Sequence, residues 1–161
     1  MKLFFDEDNG TGIPRALRLV RGSGDQIHFP SDKWHQLVKK GTQDRDWIPV
    51  IGNAEILVFS QNKYMLNNEE ERGLLIKHRV GIVYLSNGSD KAFPVLRMLM
   101  NKWEWLGLID ATIPRPFAYL VGLNGRPRKL DINSPSPLLR FSPKKPATAG
   151  TPPNGLTAPS P

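Results

Sequence analysis

Leu3-Phe4-Phe5-Asp6-Glu7-Asp8 is the stretch that decides how this chain is read. Three apolar residues make a short strand, three acids crowd its end, and Gly10 and Gly12 turn the chain toward a helix. Carboxylates packed at one strand end repel one another. A protein tolerates that where a cation, a proton or water offsets the charge. The segment alone leaves two readings open: a divalent-metal site of an α/β enzyme, or a solvated acidic turn that caps the next helix.

Outward from this stretch, apolar strands alternate with amphipathic helices. That pattern predicts a three-layer α/β fold with a mostly parallel central sheet. Pro14 suits the first turn of a helix that turns Leu17, Leu19 and Val20 inward and Arg15, Arg18 and Arg21 to another face. Residues 25–29 read as the second strand. Ser31 caps a short helix holding Trp34, Leu37 and Val38 and closed by Gly41. Thr42 or Gln43 opens a helix with Asp44, Asp46, Trp47, Ile48 and Ile51, which Pro49 bends or shifts at its start.

Residues 55–60, EILVFS, form an unbroken apolar run suited to a central, doubly covered strand. Asn67 or Asn68, followed by Glu69-Glu70-Glu71, starts the next helix, where the dipole favours anions. GIVYL at 81–85 is the fourth strand. Ser89 or Asp90 caps one long helix through Met98, Met100, Trp103, Trp105 and Leu106. Residues 117–123 and 126–132 flank Asn124-Gly125 as a hairpin with Pro127 marking an edge strand. From Asn133 proline, serine and threonine dominate. The expectation is one domain over 1–132 and a disordered tail over 133–161.

Composition narrows the function classes. The chain of 161 residues has no cysteine, which excludes disulfides and thiolate ligands and fits a reducing compartment. MKLFFDED is too short an apolar start for a signal-peptide core, and no run approaches the roughly 20 apolar residues of a membrane span. A cytoplasmic protein with no membrane contact is expected. The net charge of +7 favours a polyanionic partner, nucleic acid first. Part of the excess (Arg140, Lys144 and Lys145) lies in the tail, where no acid follows Asp131, so the domain itself is only moderately basic.

In an open parallel sheet, ligands bind beyond the carboxyl ends of the strands. Asp6, Glu7 and Asp8 fall there after the first strand, Gln61 and Asn62 after EILVFS, and Asn87 after the fourth. Asp44 and Asp46, at a helix start, lean toward the same crevice. Hard oxygen ligands without cysteine point to Mg²⁺ or Mn²⁺ rather than zinc. Two such ions about 4 Å apart clamp the attacking and leaving oxygens of a phosphodiester. Other residues have plainer readings: His28 as a structural histidine, His35 and His78 exposed on helices, and Glu69–Glu71 a solvated helix start from which Glu69 or Glu70 reaches the site. Trp103 and Trp105, two residues apart, cannot share a helical face. The arginine face is solvated, or else contacts phosphates.

The order of LFFDED, QDRDWIPVIG, ILVFSQNK, GIVYL and PFAYLVGLNGR resembles the PIN-domain ribonucleases, in particular the small PIN-like branch related to the VapC toxins of bacterial toxin–antitoxin pairs. The resemblance runs over residues 1–132. It implies a metal-dependent endoribonuclease using Mg²⁺ or Mn²⁺, an RNA substrate, a cognate antitoxin and a homodimer. Residue by residue, Asp6 matches the first-strand metal acid and Asp44 the helix-start acid, with Asp46 beside it. Asn62 stands where the family usually has a metal-binding aspartate, which removes one negative charge from the site. Glu7 or Asp8 is placed to compensate. The same departure supports an alternative, a PIN-like fold kept as a binding module for RNA or protein. Haloacid-dehalogenase-like phosphatases expect Thr or Val where Gly10 stands, and a response-regulator receiver needs an aspartate where the third strand ends in Ser60-Gln61-Asn62.

Overall fold

The computed structural model describes residues 1–136 apart from 22–23, 34–35, 63 and 87–90. Six strands form one sheet: β1 (Lys2–Phe5), β2 (Gln26–His28), β3 (Leu57–Ser60), β4 (Gly81–Leu85), β5 (Phe117–Val121) and β6 (Arg128–Leu130). Their order is β2-β1-β3-β4-β5-β6, with the first five parallel and β6 antiparallel to β5. The helices are α1 (Gly12–Arg21), α2 (Asp44–Asn53), α3 (Glu69–Lys77), α4 (Ala92–Asn101) and α5 (Trp103–Thr112).

Side-chain alternation along the strands divides the core in two. Leu3, Phe5, Leu57, Phe59, Val83 and Leu85 pack with residues of α1, α4 and α5. Phe4, Val58, Ile82 and Tyr84 pack with Trp47, Ile48 and Ile51 of α2 and Leu75 of α3. This is the expected three-layer architecture, with β3 and β4 buried on both faces because they are central and parallel. The winding changes direction between β1 and β3, which puts the switch point of the sheet at the Asp6 end of β1.

Several local expectations are corrected. α1 buries Ile13, Pro14 and Leu17, whereas Leu19 and Val20 are exposed. Leu19 lies about 200° round the helix from Leu17, and Val20, in the last turn, is left uncovered beside it. The arginine face is not simply solvated: Arg18 pairs with Asp32 at 2.6 Å, and Arg21 pairs with Asp25 and lies over the Trp103 ring. The short helix after Ser31 is not formed over the described residues 31–33 and 36–41. They make turns and bends, anchored by Asp32 and by Gln36 donating to the Pro30 carbonyl. Trp34 and His35 lie outside the described residues.

α2 starts at Asp44 despite Pro49, which it carries in its second turn. β3 begins at Leu57, because Glu55 adopts a positive φ of 53° in the turn after α2. The long helix breaks at Lys102, which lets both tryptophans dock: Trp103 against Arg21 and Asp25, Trp105 edge-on to Tyr119. The hairpin forms, but residues 122–127 make a wider loop than a two-residue Asn-Gly turn, tied down by Lys102 Nζ to the Gly125 carbonyl at 2.9 Å. Beyond Ile132 the described chain reaches Ser136, whose backbone N–H donates to Asn67 at 2.8 Å. The rest of the proposed tail lies outside the described residues, as do Asn87 and the proposed cap at Ser89 or Asp90.

Candidate active site

Parallel register delivers two polar residues to one place. Phe5 pairs with Phe59, so Asp6 and Ser60 leave the sheet side by side on the face covered by α2 and α3. Asp6 is buried. One carboxylate oxygen accepts from the Ser60 hydroxyl and the other from the Asn9 amide at 2.5 Å. Asn9 is brought there by a single 3-10 turn, Glu7–Asn9, that begins straight after Asp6. It also donates to the Phe59 carbonyl and accepts from Gln61.

Asp44 reaches the same crevice from the first turn of α2. Trp47 Nε1 donates to one of its oxygens at 2.8 Å and Asn62 Nδ2 to the other at 3.3 Å. The Asn62 backbone N–H donates to Ser60 Oγ at 2.9 Å. The result is a continuous chain Asp6–Ser60–Asn62–Asp44. Trp47 is in turn fixed by its ring contact with Phe4, 5.1 Å between centroids.

The electrostatics are unbalanced. Among the described residues every donor to Asp6 is neutral. Burial, the largest cause, and then the facing carboxylates of Asp8 and Asp44 push Asp6 up to about 7, against the pull of the Ser60 and Asn9 hydrogen bonds. Burial and Asp8 also raise Asp44. Glu71, in the first turn of α3, is raised by burial, then by Asp44 and Glu70. The fully buried Tyr84 is pushed well above its ordinary value by burial and by Asp6, Glu71 and Asp44.

Of the residues singled out from the sequence, Asp6, Asp44 and Asn62 are joined by hydrogen bonds, and Asp8 stands close enough to act on both aspartates. Glu7 turns away to accept from the Gly41 N–H at 2.9 Å. Asp46 is exposed on α2, two residues from Asp44 and so on another face. Four residues of the group were not singled out. Ser60 ends an apolar strand in the sequence, and only the β1–β3 register makes it the neighbour of Asp6. Tyr84 pairs with Ser60 one strand further on. Glu71 takes the place expected of Glu69 or Glu70. Asn9 carries no signal in the sequence beyond a polar residue near a turn.

A cavity of about 380 Å³ lined by Gln43, Asp44, Arg45, Glu70 and Glu71 opens beside the group. A larger one, about 530 Å³, lies at the opposite end of the strands among Lys77, His78, Arg79, Asp110 and Arg115. The chemistry follows the smaller, because among the described residues its acids Asp44, Glu70 and Glu71 form no salt bridge, whereas Asp110 in the larger is paired with Arg115.

The sequence pattern of the family described as PIN like domain matches residues 1–87. The chain belongs to the PIN-like domain family. The match spans β1 to β4 and so contains every member of the acid group. No curated protein and no solved structure matches the chain. PIN-like domains form a superfamily of nucleases that bind RNA and generally use divalent metals. No helix among the described residues is long and apolar enough to cross a membrane.

The donor set of this PIN-like domain fits such an ion in chemistry and charge. Its oxygens are hard, and burial followed by neighbouring carboxylates raises the pKa of Asp6, Asp44 and Glu71, which a cation would reverse. Among the described residues, no three His, Asp or Glu side chains converge closely enough to hold an ion by themselves. Waters and a substrate phosphate would complete the shell, as Mg²⁺ prefers.

Proposed function

We propose that this PIN-like domain is a metal-dependent endoribonuclease, and that it is the toxin of a toxin–antitoxin pair. The observation that carries the nuclease reading is Asp6: a carboxylate buried at the switch point, facing Asp8 and Asp44, with only neutral donors against it among the described residues. The toxin assignment is supported by the resemblance of LFFDED, QDRDWIPVIG and ILVFSQNK to the VapC-related branch. It implies an antitoxin partner and a cytoplasmic site of action.

Asp6 and Asp44 would hold Mg²⁺ or Mn²⁺, with Asp8 at the solvent side. The bound ion supplies positive charge to the phosphate and lowers the pKa of coordinated water. The protein's own residues do the positioning. Ser60 and Asn9 fix the plane of the Asp6 carboxylate. Trp47 and Asn62 fix that of Asp44. Burial excludes bulk water and strengthens every charge in the crevice. Arg45, on the rim of the 380 Å³ cavity, is placed to meet a phosphate of the strand.

A second reading has an observation of its own. Both oxygens of Asp44 already accept hydrogen bonds, one of them from Asn62. An amide there lets the crevice persist without an ion, as a binding module for RNA or protein would require. RNA cleavage measured against Mg²⁺ concentration separates the two. The nuclease reading expects cleavage that EDTA and Asp6→Asn both abolish. Cleavage that survives both, or no cleavage and no metal-dependent rise in Tm, overturns it.

A further inference from the structure

Tyr84 sits on β4 between Ser60 of β3 and Leu120 of β5, and none of its surface is exposed. The face around it is otherwise apolar: Phe4, Val58, Ile82 and Ala118. Phenylalanine would fill the same space. A buried hydroxyl with no partner is a net loss of stability, yet the Tyr84 hydroxyl has no hydrogen-bond partner among the described residues. A second orphan belongs to the same group. Glu71 Oε1 accepts from Asn68 at 2.9 Å, while Oε2 is buried and receives nothing among the described residues. Its neighbours Glu69 and Glu70 are exposed. Tyr84 pairs in register with Ser60, whose hydroxyl binds Asp6, and it lies within electrostatic reach of Asp6, Glu71 and Asp44.

One group is a donor without an acceptor, the other an acceptor without a donor, and they are not bonded to each other. A species that accepts from the first and donates to the second closes the gap. Water does both. A cation would satisfy Glu71 but give the tyrosine proton nothing to bind. The cavity lined by Asp44 and Glu71 gives water a way in.

We infer that Tyr84 and Glu71 hold a buried water between them, beside Asp44, and that Tyr84 is a positioning residue for the candidate active site. With Tyr84 supplying the proton it accepts, the water directs its own two protons at carboxylates, Glu71 and Asp44. It thereby keeps two like charges side by side before any cation or substrate arrives. The positioning role rests on the nuclease reading; the water itself does not.

Two measurements on the full chain test the water without reference to activity. A crystal structure that resolves ordered solvent should show a water within hydrogen-bond reach of both Tyr84 Oη and Glu71 Oε2. A double-mutant cycle of Tyr84→Phe and Glu71→Gln in urea unfolding should be non-additive. Tyr84→Phe lowers the folding constant in the wild-type background, and that loss shrinks about threefold or more where Glu71 is already Gln. An empty site, additive changes, or a Tyr84→Phe protein more stable than wild type overturns the inference. Where RNA cleavage is measurable, Tyr84→Phe should lower kcat and leave KM unchanged. A bridging water with an unaltered kcat would refute the positioning role alone, and a protein without cleavage would refute the nuclease reading while the first two measurements still decide the water.

Discussion

Asp6 and Asp25 are both aspartates at the end of a strand, at opposite poles of one sheet, and the chain treats them in opposite ways. Asp25, just before β2, accepts from the Met1 amine at 3.0 Å, from Arg21 at 3.1 Å and from Trp103 at 3.2 Å. Burial alone would raise it, but those bonds outweigh burial and hold it below the usual carboxylate range. The same pole carries Arg115, which pairs with Asp110 and donates to the Ile56 and Glu55 carbonyls. Asp6 has hydrogen bonds too, yet no cation pairs with it among the described residues, and other acids face it. What separates these two aspartates is deeper burial, the largest cause at Asp6, together with charge balance: cations face Asp25, whereas other acids face Asp6.

The largest expected effect is at Asp6. In the fold its pKa stands at about 7, while in an unfolded chain it is about 3.9. The folded state therefore holds the proton more tightly. The stability this confers is full below about pH 4 and is lost as pH rises to about 7. Without metal, Asp6→Asn removes that loss. Its advantage in stability over wild type, read as a rise in Tm, should grow from pH 4 to pH 8 in EDTA, toward a free-energy limit of about 4 kcal/mol. RNA cleavage should fall at least about 100-fold, beyond the loss typical of an outer ligand partner. A Tm difference that does not change with pH would refute the raised pKa, and a deficit of the variant that grows with pH would place Asp6 in the same class as Asp25, whose pKa is lowered.

Arg115→Ala probes the balanced pole. It strands Asp110 and two backbone carbonyls, and should cost about 3 kcal/mol in urea unfolding. It should leave any Mg²⁺-dependent gain in Tm intact, since it touches nothing near Asp6. Loss of that gain would mean that the two poles are coupled and the contrast between them is false.

The contrast also explains how much could be read in advance. The layers, the parallel sheet and the hairpin were legible because hydrophobic period reports burial directly. Asp6 and Asp44 were legible as neighbours because the crevice of an open parallel sheet lies beyond the carboxyl ends of its strands, where both residues fall. The break at Lys102 and the turns after Ser31 were not, because each depends on a distant docking partner: Trp103 with Arg21 and Asp25, Asp32 with Arg18. Ser60, Asn9, Glu71 and Tyr84 belong to the site through register and long-range packing, which a linear pattern does not encode. Whether Asp44 or Asp46 enters the crevice depends on which face of α2 the Trp47 ring pins to Phe4.

Asn62→Asp comes next in size and acts on the unbalanced pole itself. The wild-type amide donates to Asp44. A carboxylate would withdraw that donor and add a charge, at a cost of about 1–2 kcal/mol in EDTA. With Mg²⁺ the extra anion becomes favourable, so the deficit should close and the midpoint for metal should fall. A deficit that metal does not reduce would favour the binding module, because an ion would then have no place between residues 44 and 62.

The smallest effect is expected at Asp46, and its smallness is the point. Asp44 and Asp46 occupy the same helical turn, carry the same charge in the sequence and both matched the acidic helix start. On the helix they lie about 200° apart. Asp44 is half-buried and accepts from Trp47 and Asn62, whereas Asp46 is exposed on the solvent side. Both anions suit the dipole at the start of α2, so Asp46→Ala should cost no more than about 0.5 kcal/mol, the range of an ordinary surface change. Metal-dependent Tm and RNA cleavage should be those of wild type. Asp44→Ala, which frees the Trp47 indole and the Asn62 amide, should lower both. If Asp46→Ala reduced metal response as far as Asp44→Ala does, the crevice would have to draw in an acid from the far side of α2, and the assignment of the centre to one face of that helix would fail.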